Sequence, residues 1–174
     1  MHKGVHDRGY LPHWDFADSV QAVTFRLRDA LPNKVVMKWR NELAALMVHP
    51  DPKISSKAHA ELRGRIARYE DAGYGSCILA QPRCATIVQE TLQTKHRSSY
   101  KLIDWCIMPN HVHVLIRLAN DAPLGSVVKA WKAPSAIGIN RLLERTGSLW
   151  LEDYHDRFIR DLDHFLQRAR LYPK

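Results

Sequence analysis

The chain has 174 residues, and 45% of them are hydrophobic. This length and composition suit a single domain, 1–174, with a buried core, and they exclude an intrinsically disordered protein. Its 26 Lys and Arg outnumber its 18 Asp and Glu to give a net charge of +8, which favours nucleic acid as the partner, although many basic proteins bind none.

The cysteines and the first residues indicate the compartment. Cys77, Cys84 and Cys106 are odd in number and form no C-x-x-C pair, so neither a disulfide framework nor a zinc ribbon is supported. The first residues lack an apolar signal segment, and no apolar run approaches the ~18 residues that would span a bilayer. We therefore expect a cytoplasmic protein without a membrane partner.

The first part of the chain is predicted to hold one strand and three helices. Alternation and β-branched residues over 19–27 predict the strand. Apolar residues at helical spacing after a proline predict helices at 34–48 and 82–96. A strongly polar run that stops at Gly73 and Gly75 predicts a further helix at 55–71.

The second part is predicted to contain a hairpin, a helix and a last strand. The hairpin joins strands 100–107 and 111–118 through three turn residues. A helix follows to about residue 145, and Pro134 should kink or divide it. A strand-like run over 154–160 and a final helix from about Asp161 complete an α+β fold, with helices on one face of an antiparallel sheet and a helical insertion after the first strand.

Two histidines one residue apart lie on the second strand of the predicted hairpin. Because side chains alternate along a strand, His111 and His113 should share one face while Val112 faces the core. Two imidazoles on one rigid strand are suited to hold a divalent metal ion and so to assist attack on a phosphate. A half-exposed strand with two outward polar residues is the alternative interpretation.

Basic residues flank Pro134 on the predicted helix. Lys129, Lys132 and Arg141 are candidates for contacts with a phosphate backbone. Trp131 lies among them and could stack on an unpaired base. The alternative for Trp131 is a core or interface aromatic, since tryptophan is mostly buried.

Several spaced motifs together resemble the REP-associated tyrosine transposases, which are single-tyrosine HUH transposases of bacteria. The strongest is Met-Pro-Asn-His-Val-His-Val-Leu at 108–115. It is followed by Trp131-Lys132, by Ile-Asn-Arg-Leu-Leu at 139–143, by Leu149-Trp150 and by Tyr-His-Asp-Arg-Phe-Ile-Arg-Asp at 154–161; the early runs 8–14 and 23–27 also resemble one branch of the family.

The resemblance implies a ferredoxin-like catalytic domain that acts on single-stranded DNA, often a folded hairpin. His111 and His113 would hold Mg²⁺ or Mn²⁺ while a tyrosine hydroxyl attacks the scissile phosphate. A 5′-phosphotyrosine intermediate and a free 3′-hydroxyl would result, so that the enzyme both nicks and rejoins DNA during transposition. No organic cofactor is implied.

The nucleophile is the point at which the chain departs from the family pattern. Matching His164-Phe165 to that pattern places the nucleophile at or next to Leu171, and the nearest tyrosine is Tyr172. One residue turns a helical side chain by about 100°. Three interpretations stay open: Tyr172 acts through a local change of register, the copy is C-terminally truncated and inactive, or Tyr154 substitutes for it.

Three functions therefore remain as hypotheses. The first is a metal-dependent tyrosine transposase. The second is a catalytically inactive DNA-hairpin-binding protein derived from the same family, and the third is a metal-dependent phosphodiesterase in which water replaces tyrosine. The sequence leaves open whether the protein is a monomer or a homodimer.

Overall fold

The computed structural model describes residues 4–7, 12–15, 18–119 and 122–159. In chain order the elements are β1 (Gly4–Asp7), β2 (Pro12–Asp15), β3 (Val20–Arg26), α1 (Asn33–Met47), α2 (Pro52–Asp71), α3 (Pro82–Thr94), β4 (Tyr100–Ile107), β5 (His111–Leu118), α4 (Leu124–Leu142) and β6 (His155–Phe158). None of the helices in the described part of the chain is long and apolar enough to cross a membrane.

The main sheet has four strands in the order β4-β5-β3-β6, and every neighbouring pair is antiparallel. Helices separate β3 from β4, and α4 separates β5 from β6, while β4 and β5 form a hairpin. This is the ferredoxin-like arrangement of two interleaved β-α-β units. The predicted α+β class is confirmed.

One face of the sheet is covered by α3 and α4, which pack on each other. Alternate residues of the central strands point into this layer, including Phe25, Val112 and Val114, all of which are fully buried. Helix residues such as Val88 and Trp131 complete the cluster. The period of two in the strands thus meets the apolar stripes of the helices to form the main core.

The helical insertion predicted after the first strand is present as the α1–α2 pair. The sequence predicts the start of its second helix at residue 55, but α2 begins at Pro52. Proline suits the first turn of a helix because its missing N–H has no partner there, and the Asp51 carboxylate accepts a hydrogen bond of 2.8 Å from the Lys53 N–H. Pro52 therefore starts a helix as well as ending the preceding loop.

The fourth helix and the N-terminal strands differ from the prediction. Of the two effects predicted for Pro134, division of the fourth helix is wrong, because the helix runs unbroken from Leu124 to Leu142. The hydroxyl of the next residue, Ser135, donates to the Trp131 carbonyl at 2.6 Å, one residue beyond the Ala130 carbonyl that loses its N–H partner. The separate β1–β2 sheet was not predicted, and the final helix expected from Asp161 lies outside the described residues.

Candidate metal site

His111 and His113 lie side by side on the face of the sheet opposite the main core, as the strand alternation predicted. Their Nε2 atoms are 2.9 Å apart. His111 is almost fully buried at 1% exposure, whereas His113 is half-buried. The two imidazoles therefore converge on one point at the edge of a polar face.

Asn110 fixes the proton on His111. Its side-chain amide N–H₂ donates to the carbonyls of Glu70 at 3.1 Å and Tyr74 at 2.9 Å. Both amide protons are thereby used, so the amide oxygen is the atom that faces His111 Nδ1 at 2.8 Å. An oxygen accepts, so Nδ1 carries the proton and the Nε2 lone pair points toward His113.

Burial keeps His111 in this neutral form. Loss of water contact, followed by the neighbouring His113 and Arg26, lowers the pKa of His111 to about 3. At neutral pH the imidazole therefore offers a lone pair instead of a positive charge. A neutral imidazole with its second nitrogen anchored to an amide oxygen has the protonation state that a metal ligand requires.

Thr24 performs the corresponding task for His113. The two residues are paired across β3 and β5, and the Thr24 hydroxyl lies 2.8 Å from His113 Nδ1. A hydroxyl can donate or accept, so it is compatible with either tautomer of His113. Since the His111 Nε2 lone pair faces His113 Nε2 at 2.9 Å, it is His113 Nε2 that carries the proton of this contact, and the Thr24 hydroxyl holds the orientation of the ring.

Asp71, at the end of α2, joins the two histidines. One of its carboxylate oxygens lies 3.8 Å from His111 Nε2, and the ligand atoms of Asp71, His111 and His113 all lie within 4.8 Å of one another. Two imidazoles and a carboxylate suit a divalent transition-metal ion better than they suit Mg²⁺, which prefers oxygen. Sequence reasoning missed Asp71 because no sequence motif near it indicates a metal ligand.

A buried ion pair holds the end of α2 against the sheet. The Arg26 guanidinium on β3 pairs with the Glu70 carboxylate, and both side chains are only 6% exposed. Burial foremost raises the pKa of Glu70, while Arg26 opposes that rise. Since Glu70 directly precedes Asp71, this pair and the Asn110 amide together position the carboxylate beside the histidines.

The residues predicted to contact DNA divide into two groups. The exposed Lys129 and Arg141 are available to a ligand. Trp131 is not: it is 1% exposed, packs in the main core and donates from its indole nitrogen to the Tyr100 hydroxyl at 2.7 Å. The base-stacking prediction for Trp131 is therefore wrong, and its core alternative is correct.

The side chain of Lys132 is also bonded to other parts of the protein. Its ammonium donates to the carbonyls of Leu151 and Glu152, each at 2.6 Å. Burial is the largest influence on its pKa, which falls to about 8. The side chain thus ties α4 to the segment before β6.

Of the two tyrosines considered as nucleophiles, only Tyr154 lies among the residues that the structure describes. Tyr172 lies outside the described residues, so its role stays a prediction. Tyr154 is 4% exposed and packs in the main core, and it also lines a small cavity with Arg26 and residues of α1 and α2. This placement disfavours Tyr154 as a substitute nucleophile.

Comparison with known proteins finds a family that part of the chain resembles. Residues 78–159 match the family model described as Transposase IS200 like. This segment spans α3, β4, β5, α4 and β6 and contains both histidines, and it amounts to somewhat less than half of the chain. The predicted resemblance to a transposase family is thereby confirmed, and over this segment the chain is similar to the IS200-like transposases.

Two solved structures are similar to the chain over nearly its whole length. A REP-associated tyrosine transposase bound to a REP hairpin is 10% identical, with a TM-score of 0.49, and the match covers 97% of this chain and 68% of that one. A structure from Deinococcus radiodurans R1, described as a transposase candidate, is 15% identical with a TM-score of 0.38, covering 98% and 94%. No curated protein matches the chain.

Proposed function

We propose that this chain is a metal-dependent tyrosine transposase that nicks and rejoins single-stranded DNA, and that residues 1–174 form one catalytic domain. The observation that supports the proposal most directly is the convergence of two imidazoles and a carboxylate on one face of the sheet. The IS200-like family match over the same strands and the net charge of +8 agree with it.

In this proposal His111, His113 and Asp71 hold a divalent ion, for which Mn²⁺ and Mg²⁺ are the candidates. Such an ion supplies Lewis-acid stabilisation of charge on a phosphoryl oxygen. Asn110 keeps the His111 lone pair directed at the site, and Thr24 orients His113. The Arg26–Glu70 pair keeps the Asp71 carboxylate within reach.

The proposed nucleophile is the Tyr172 hydroxyl. Its oxygen forms a bond to phosphorus as the bond from phosphorus to the 3′ oxygen breaks. The phenolic proton passes to solvent, and the departing 3′ oxygen takes up a proton. The resulting 5′-phosphotyrosine conserves the phosphodiester energy, so that a DNA 3′-hydroxyl can attack it and reverse the step.

A covalent adduct on a denaturing gel tests the proposal. Wild-type protein would be incubated with end-labelled hairpin DNA and Mn²⁺, and the adduct should disappear in the double variant His111→Ala/His113→Ala and in the presence of EDTA. His59→Ala is the matched control because that histidine is exposed on α2. DNA binding by the double variant should persist, since Lys and Arg make most phosphate contacts.

The same gel separates the competing functions. Loss of the adduct in Tyr172→Phe, with the adduct retained in Tyr154→Phe, would assign the nucleophile. Cleavage without an adduct would indicate a phosphodiesterase that uses water. Intact DNA that is bound but never cut would contradict the proposal and favour a catalytically inactive hairpin-binding protein.

A further inference from the structure

A groove of about 270 Å³ runs between α2 and the polar face of the sheet. His113 and Thr24 line it from the strands, so it opens directly beside the paired imidazoles. Its volume is close to the ~300 Å³ at the lower end of small-ligand sites. The space therefore suits one nucleotide-sized group better than a large ligand.

The α2 wall of the groove is low because its side chains are small. Ala60, Gly64 and Ala67 face the space along with Arg63. A Cβ added at Gly64 would meet only the Arg68 guanidinium, at 3.3 Å, so no sheet residue fills the volume next to it. The helix and the sheet thus leave a gap where close packing would otherwise be expected.

The charge in this groove is positive. The carboxylate of Glu70 lines it but is paired with Arg26. Two further guanidiniums line the groove, those of Arg63 on α2 and Arg157 on β6. Arg63 is half-buried, it forms no ion pair within the described part of the chain, and burial lowers its pKa. Burying a guanidinium costs free energy that a bound anion would offset.

We propose that this groove is a binding subsite for a backbone phosphate of single-stranded DNA, next to the phosphate that is cleaved, with Arg63 as its principal ligand and Arg157 facing it from the sheet. The inference deepens the proposed function and rests on it for the identity of the polymer. A guanidinium matches a phosphate with two parallel N–H donors. Since His113 belongs to both places, a strand that enters the groove passes the metal site.

Binding in EDTA tests the subsite independently of catalysis. Affinity for an unstructured single strand of roughly 15 nucleotides would be measured over a range of salt concentrations for wild type, Arg63→Gln and Arg68→Gln. Arg68 is the matched control because it lies on the same helix, is 68% exposed and contacts Glu61. Unchanged melting temperatures would verify that both variants are folded.

We expect Arg63→Gln to weaken binding roughly tenfold and to reduce the salt slope by about 0.7, the value of one phosphate contact on a single strand. Arg68→Gln should stay within about twofold of wild type. In the hairpin DNA of the cleavage assay, replacing phosphodiesters one at a time by neutral methylphosphonates should weaken wild-type binding at one position beside the cleavage site, and that position should have no effect on Arg63→Gln.

Equal affinities and slopes for Arg63→Gln and Arg68→Gln would overturn the subsite even if the wild type cleaves DNA. Conversely, a specific Arg63 effect in a protein that never forms an adduct would retain the subsite and reject the proposed transposase chemistry. The two proposals can therefore fail separately.

Discussion

The two faces of the four-stranded sheet are made by the same strands and yet differ in almost every physical respect. On one face Phe25, Val112 and Val114 are fully buried against helices. On the other, the residues between them, including His111 and Thr24, are joined by hydrogen bonds. Alternation along a strand therefore lets the chain put a closely packed core and a polar site within one residue of each other.

The faces also depend on different kinds of free energy. The core face gains from burial of apolar area and from aromatic contacts, such as Phe25 with Trp150 at a ring separation of 4.8 Å. The site face buries charge, which is stabilising only while every partner is present. Substitutions on the core face should consequently change stability alone, whereas those on the site face should change stability and function together.

The largest stability loss is expected for Trp131→Ala. Removal of a fully buried indole should cost about 3–5 kcal/mol and deprives the Tyr100 hydroxyl of a donor. Urea denaturation measures this loss. DNA affinity, measured at a temperature where the variant is folded, should stay within about twofold of wild type. A variant that keeps its stability and loses DNA binding would instead indicate that Trp131 contacts DNA.

Arg26→Met tests the site face in the same way. It leaves the Glu70 carboxylate buried without its partner and should cost about 3 kcal/mol in urea denaturation. The double variant Arg26→Met/Glu70→Leu removes both charges and should recover to within about 1 kcal/mol of wild type. If the double variant were as unstable as the single one, charge burial would not explain the loss.

Asn110→Ala should have a smaller effect on stability and a distinct effect on chemistry. Three hydrogen bonds are lost, at a cost of about 2 kcal/mol, and Mn²⁺ affinity should fall by roughly 10–100-fold as the His111 tautomer is released. Nitrogen NMR shifts of the imidazole would report that tautomer directly. Asn140→Ala breaks one hydrogen bond to the Gly147 carbonyl. This control variant should leave the Mn²⁺ affinity and the imidazole nitrogen shifts unchanged.

The effect of Lys132 on stability is visible only as a dependence on pH. Its pKa falls from about 10.5 to about 8 on folding, so between these values the unfolded chain binds more protons than the folded one. Stability relative to Lys132→Met should therefore rise with pH over this range, by up to about 1.4 kcal/mol per pH unit. Lys129→Met, one helical turn away and exposed, should show no such rise; a parallel rise there would exclude burial as the cause.

The parts that sequence predicted well are those that local periodicity determines. The bounds of β4 and β5 agree with the predicted 100–107 and 111–118, and the shared face of His111 and His113 follows from the period of two. Asp71 could not be found in this way, because it reaches the histidines only through the packing of α2. Trp131 was misassigned because a helical tryptophan beside lysines fits a core and an interface equally well until its neighbours are known.

The Asn110 amide has a consequence for how this protein can vary. The α1–α2 hairpin has the form of an accessory inserted into a ferredoxin-like body, yet the carbonyl of Glu70 on α2 and that of Tyr74 just beyond it use both amide protons of Asn110. A deleted hairpin would remove the Glu70 acceptor and Asp71 at the same time. The histidine strand can therefore be grafted onto another scaffold with its site intact only together with this hairpin.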